Sequence, residues 1–260
     1  MTFSNQTRPN PVPERAHPSR TGSAVPDAHT DAHTHTGCQD GWTETNVTRS
    51  LLGWGAVAGP FYVLVSLAQA LSRDGFDLTR HQWSLLENGE LGWVQVANFI
   101  LTGVMLLAFS LGLRRALAGS VGGTWSPVLT GVFGLSFVAA GVFRADPALG
   151  FPPGTTPGAG AVSSHGIVHF AAAGVGFLAV AASCFVLARR FSGPGQRRLA
   201  VFSRATGVAF LAGFLCVASG AGSVAANLAF TAAVVLVFGW LAVVAVHLYR
   251  WPTHPTAAQS

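Results

Sequence analysis

Long apolar stretches separated by short polar segments dominate the chain. Six of them run approximately 51–71, 94–113, 126–143, 166–188, 205–223 and 227–248. Crossing the hydrocarbon core of a bilayer takes about 20 apolar residues of helix, and each stretch is close to that length. Lipid offers no partner to a free peptide group, so each is expected to be helical. The expected fold class is all-α, a polytopic membrane bundle of six transmembrane helices. The last two stretches are the least separated. Val224–Ala226 forms a very short connection between them, and together they are too long for one bent span.

The first 48 residues follow another pattern, with Pro, Thr, His, Asp, Ser and scattered charge. Such a segment buries too little apolar surface to order itself. The sequence therefore divides into a tail over 1–48, a transmembrane domain over 49–250 and a C-terminal tail over 251–260. No short apolar region with a cleavage site precedes Leu51, so the opening segment does not read as a signal peptide. Its tract Asp27-Ala28-His29-Thr30-Asp31-Ala32-His33-Thr34-His35 has a weak metal-binding composition, which low-complexity drift also explains.

Composition agrees with the pattern. Half of the chain is hydrophobic and 10% is charged, against about 25% in an average soluble domain. All 15 basic residues are Arg. They stand between the apolar runs and form no separate basic domain, which argues against a nucleic-acid partner. Their placement is asymmetric. Twelve fall in the two tails or after the second and fourth stretches; Arg73, Arg80 and Arg144 alone fall on the other side. The positive-inside rule then puts both termini in the cytoplasm, as an even helix count requires. Trp54, Trp93, Trp125, Trp240 and Trp251 fall near expected helix ends, as interfacial aromatics do. Gly55 and Gly59 form a GxxxG pair suited to close helix packing. Cys38, Cys184 and Cys216 have no CxxC spacing, so neither a zinc site nor a disulfide framework is indicated.

The acidic residues carry the sharpest asymmetry. Beyond the first tail they are Asp74, Asp77, Glu87, Glu90 and Asp146, all in the two longer loops on the outward side. In the first loop, Thr79 and Gln82 have capping-box spacing and Gly89 can end a helix, which predicts a short helix over about 80–88. Trp83, Leu85 and Leu86 would dip into the membrane interface, leaving Arg80, Ser84 and Glu87 on the polar side. Gln95 and Asn98 follow, three apart and so on one helix face. They are expected to point into the bundle. The second loop is rich in Pro and Gly and leads to His165 and His169, four apart on one face of the fourth helix.

Several segments in order carry a resemblance. These are Asp77-Leu78-Thr79-Arg80-His81, Gly92-Trp93-Val94-Gln95-Val96-Ala97-Asn98-Phe99, Phe143-Arg144-Ala145-Asp146-Pro147, Gly150-Phe151-Pro152-Pro153-Gly154 and Ser164-His165-Gly166-Ile167-Val168-His169. Over roughly 48–250 the chain resembles the bacterial six-helix membrane family catalogued as domain of unknown function 998. The resemblance implies the architecture, a bacterial cytoplasmic membrane location and the place of a site, and it implies no reaction.

Three functions suit these residues. In a membrane-embedded enzyme, Arg80, His81, Ser84, Asp146, His165 and His169 would converge at the outer surface. His165, His169 and Asp146 would be metal-ligand candidates for Zn²⁺, Ser84 a nucleophile, and Arg80 an anchor for a lipid-like head group. The HxxxH spacing lacks the intervening Glu of a zinc protease. In a binding or transport protein, Asp77, Gln95, Asn98, Arg144 and Asn227 would line a small-molecule pocket. In the third reading the loops hold each other through ion pairs of Arg80 or Arg144 with Asp77 or Asp146, and the protein is a scaffold or partner subunit. The bilayer is the one partner the sequence implies; it identifies no cofactor and no protein partner.

Overall fold

The computed structural model describes residues 36–219 and 223–250. By its internal contacts the chain divides into two units, Met1–Gly41 and Trp42–Ser260. The opening turns of the first helix are the described part of the first unit, and the bundle belongs to the second. In chain order the helices are α1 (Thr36–Ser72), α2 (Gly92–Ala116), α3 (Trp125–Val142), α4 (Ser164–Arg190), α5 (Arg197–Ala218) and α6 (Val224–Arg250). A 3-10 turn over Trp83–Glu87 stands between α1 and α2. All six helices are long and apolar enough to cross a membrane, α1 through its Glu44–Ser72 part. Even α3, with 18 residues, spans about 27 Å at 1.5 Å per residue.

The helices extend past the apolar stretches at their arginine-bearing ends. Arg114 and Arg115 complete the last turn of α2, and Arg189 and Arg190 that of α4. A cation in a last turn meets the negative end of the helix dipole, and the long side chain reaches water from a buried backbone. α5 departs from expectation at both ends. It begins at Arg197, so Arg197, Arg198 and Arg204 are helical and not loop residues. It ends at Ala218, and α6 begins at Val224, so Val224–Ala226 is helix and the connection precedes it. α1 begins at Thr36, inside the segment expected as tail. The His-rich tract and Trp251 lie outside the described residues.

Consecutive helices pack against each other from α2 through α6, and α1 closes the ring. A side chain at Gly55 would run into Phe109 of α2, one at Gly59 into Phe238 of α6, and one at Gly112 into the α1 backbone at Leu51 and Leu52. The GxxxG pair thus serves packing within the chain. Tyr62 of α1 fills the centre, with ring centroids 5.7 Å from Phe99, 5.1 Å from Phe137 and 4.9 Å from Phe238. Trp93 and Trp125 are exposed at helix starts, as interfacial aromatics should be. Trp240 is not one of them. It is fully buried, and its indole N–H donates to the Ser203 hydroxyl at 2.9 Å.

Because α1, α3 and α5 run one way and the others return, the segments 73–91 and 143–163 share one end of the bundle with the start of α6. The arginine-rich helix ends share the other.

Candidate functional site

The two long loops fold into a cap over the first end. The Asp77 carboxylate turns back to accept the Thr79 backbone N–H at 2.8 Å and the Thr79 hydroxyl at 2.7 Å. The hydroxyl bond first, then the backbone bond, hold its carboxyl below the usual carboxylate range. Thr79 is therefore engaged before the short helix begins. Gln82 is the residue at its N-terminus and makes no side-chain cap, so the expected capping box is not formed. The segment tightens to a 3-10 turn over Trp83–Glu87, and the chain leaves it through Gly89, whose positive φ of 77° an L side chain rarely adopts.

His81 bridges the loops. Its Nδ1 accepts the Asp77 backbone N–H at 2.9 Å, so its Nε2–H donates to the Leu149 carbonyl at 3.1 Å. That pattern fits the neutral imidazole with the proton on Nε2. The ring is buried between Phe76 and Phe151. Arg73 lies over Phe151, 4.9 Å from the ring centroid. Its guanidinium donates to the Leu86 carbonyl at 2.6 Å and to the Asn88 carbonyl. The Asn88 amide reaches across to the Ala145 carbonyl at 3.1 Å, and Asn227 of α6 donates to the Leu78 carbonyl at 2.9 Å. Nearly every one of these bonds satisfies a loop carbonyl that neither a helix nor lipid can satisfy.

Beneath the cap lies the least expected pair. Glu87 is fully buried, against the expectation that it faces the polar side. Its Oε2 accepts the Ala145 backbone N–H at 3.1 Å and lies 3.4 Å from Nδ1 of His169. That nitrogen donates to the Phe143 carbonyl at 2.9 Å. Glu87 Oε1 is buried with no hydrogen-bond partner. Burial pushes the Glu87 carboxyl up to about 8, against smaller opposing effects of the Ala145 N–H and the Arg144 charge. Trp83, Leu85 and Leu86 are also buried inside the protein and not dipped into an interface. The 3-10 turn has to carry its apolar side inward, and Glu87, four residues after Trp83, goes with it.

Asp146 holds the start of α4. Its two oxygens accept the Ser163 backbone N–H at 2.8 Å and the Ser163 hydroxyl at 2.6 Å. The Ser163 hydroxyl in turn accepts the Gly166 N–H as the helix cap. These bonds, the hydroxyl first, lower the Asp146 carboxyl. A side chain at Gly166 would collide with the Asp146 carboxylate, so glycine there is a condition of the contact.

The sequence-predicted residues are divided: Asp146 has His165 and His169 within electrostatic reach, while His81 is held by Asp77 and Leu149. His165 is exposed, its ring 5.5 Å from that of Phe143, while His169 is buried. Asp146 is engaged by Ser163, and no group of three or more His, Cys, Asp or Glu that could hold a metal ion occurs among the described residues. Arg80 and Arg144 are exposed, and neither forms an ion pair with Asp77 or Asp146; the close contact of a carboxyl with a basic side chain among the described residues is that of Glu87 with the His169 imidazole. Ser84 is half-buried. Gln95 and Asn98 do face the bundle. Gln95 Oε1 accepts from Gln69 at 2.7 Å and from Asn98 at 3.2 Å, and Asn98 also donates to Ser66 at 3.0 Å. Ser66 and Gln69 of α1, three apart, were legible by the same rule that found Gln95 and Asn98. Asn227 belongs to the cap and not to this network.

The family model described as "Protein of unknown function (DUF998)" matches residues 56–247, most of the bundle. The chain belongs to this family. No curated protein and no solved structure matches it. The DUF998 match takes in both loops of the cap and every residue of the buried network, so the geometry described above is that of the family domain, within a multi-pass membrane protein of six apolar helices.

Proposed function

We propose that this DUF998 protein is a non-catalytic membrane component, a scaffold or partner subunit, that presents a rigid folded cap on the outer face of a bacterial cytoplasmic membrane. One observation carries the reading. Three of the groups a catalytic site would draw on are engaged in holding the cap together: His81 by Asp77 and Leu149, Asp146 by the backbone N–H and hydroxyl of Ser163, His169 by the Phe143 carbonyl. The outward direction of the cap rests on the arginine asymmetry.

Alanine scanning with two readouts tests this. Asn88→Ala and Asp146→Ala should lower the unfolding temperature of the purified protein in detergent. Arg80→Ala, Ser84→Ala and His165→Ala should leave it within about a degree, since surface changes usually stay within about 0.5 kcal/mol. Hydrolysis of a lipid-like ester that disappears in folded Ser84→Ala or His165→Ala protein would replace this reading with the enzyme.

A second reading, binding of a small polar ligand, has its own support. Gln69 Oε1, Trp83 Nε1 and Glu87 Oε1 are buried without hydrogen-bond partners, and such atoms normally have one. Saturable stabilisation by a small hydrogen-bonding solute, lost in Gln69→Leu, would favour it.

A further inference from the structure

At the arginine-rich end, α1 and α6 leave a cleft of about 430 Å³ open to the surface, lined by Ala56, Ala242, Val243, Val246, His247 and Arg250. We infer that this cleft is a binding site for one anionic phospholipid, with an acyl chain between α1 and α6 and the phosphate at Arg250 and His247.

The floor of the cleft suits a hydrocarbon chain. Its four aliphatic residues are small. Gly53 lies three residues before Ala56 on α1, and Gly239 four before Val243 on α6. A side chain at either glycine would meet nothing within 4 Å. Open space therefore borders the lining residues on both sides, at Gly53 toward the arginine-bearing end and at Gly239 toward the middle of the bilayer, on faces that helix geometry keeps in line. Elsewhere α1 uses glycine to bring neighbours close, at Gly55 and Gly59. Gly53 and Gly239 bring nothing close, so packing within the chain does not account for them.

The mouth suits an anion. Arg250 and His247 lie on adjoining turns of α6. Arg190 at the end of α4 stands within electrostatic reach of His247, and Arg49 shares the α1 face of Gly53 and Ala56. None of these arginines has a carboxylate partner among the described residues, and the Nε atoms of Arg49 and Arg190 are buried without a hydrogen-bond partner. Beyond Asp40 and Glu44 in the opening part of α1, the described carboxylates all lie in the cap. A phosphate at the headgroup level supplies both the charge and the acceptors. Basic pockets between membrane helices recognise anionic head groups in this way.

Native mass spectrometry of the full chain, released from micelles doped equally with phosphatidylglycerol and phosphatidylcholine, tests the site. One phosphatidylglycerol should be retained in preference. An arginine near a membrane surface contributes about 1 kcal/mol, so Arg250→Gln should cost about fivefold in that preference. Gly53→Leu with Gly239→Leu fills the groove from positions with open space and should abolish retention of either lipid in a protein of unchanged unfolding temperature. Arg114→Gln with Arg115→Gln removes twice the charge of Arg250→Gln from the same end and should change nothing. Equal retention of the two lipids, an equal loss in the Arg114/Arg115 variant, or undiminished binding in the filled groove would each overturn the assignment.

Discussion

Glu87 makes the most demanding prediction. Its carboxyl moves from 4.5 to about 8 because the folded chain removes it from water. One pKa unit corresponds to about 1.4 kcal/mol, so the shift represents on the order of 5 kcal/mol between the neutral and charged forms in the fold. The direction follows from proton counting. Between pH 4.5 and about 8 the folded protein keeps the proton that the unfolded chain has released. Stability therefore falls as pH rises through that window and levels off above it. Glu87→Gln stays neutral throughout and keeps an oxygen for the Ala145 N–H. Its new amide N–H₂ adds a cost that does not depend on pH, so the slope is the informative quantity and not the offset. The assay is thermal unfolding of both proteins in one detergent, in steps across the window. The wild type should lose several degrees relative to Glu87→Gln as pH rises. Every other titrating group is common to both proteins and cancels in the difference. Parallel profiles would refute the reasoning. They would mean that Glu87 is ionised in the fold and held by a protonated His169 3.4 Å away.

Further expectations follow from the cap and the core. Gly166→Ala forces a methyl against the Asp146 carboxylate and should cost about 1–3 kcal/mol by overpacking, seen as a lower unfolding temperature. Asn88→Ala removes the amide bonds to Leu85 and Ala145 and should destabilise by about 1–3 kcal/mol, with faster proteolysis in 143–163. Ser203→Ala leaves the buried Trp240 N–H unpaired and should cost a similar amount, whereas Trp240→Phe with Ser203→Ala should recover part of it in a thermal melt.

The architecture was legible because lipid permits so little else. Six apolar stretches of bilayer length leave the helix as the one spanning structure, and the inward face of Gln95 and Asn98 followed from their spacing alone. Helix ends were less legible. An arginine reads as loop in a hydropathy pattern, yet its backbone can remain helical while its side chain reaches water, as at Arg197 and Arg198. Loop chemistry was least legible. Asp77, His81, Asp146 and His169 were recognised as unusual, but their partners are mostly backbone groups of Leu149, Ser163 and Phe143, which carry no side-chain signature. Glu87 was misread because an acidic residue in a loop ordinarily faces water, and its burial depends on Ala145 and His169, both remote in sequence.

The cap also fixes an order of assembly. The pocket that hides Glu87 needs Ala145 from beyond α3 and His169 from α4, and Asn227 of α6 ties the same loop down. A nascent chain with only its first hairpin in the membrane has none of these. Glu87 then remains a hydrated carboxylate, and the first loop stays unlatched. Closure has to wait for the fourth helix, and it carries a proton in with it. Insertion at high pH should therefore stall with the loop accessible to protease, after the helices themselves are in place.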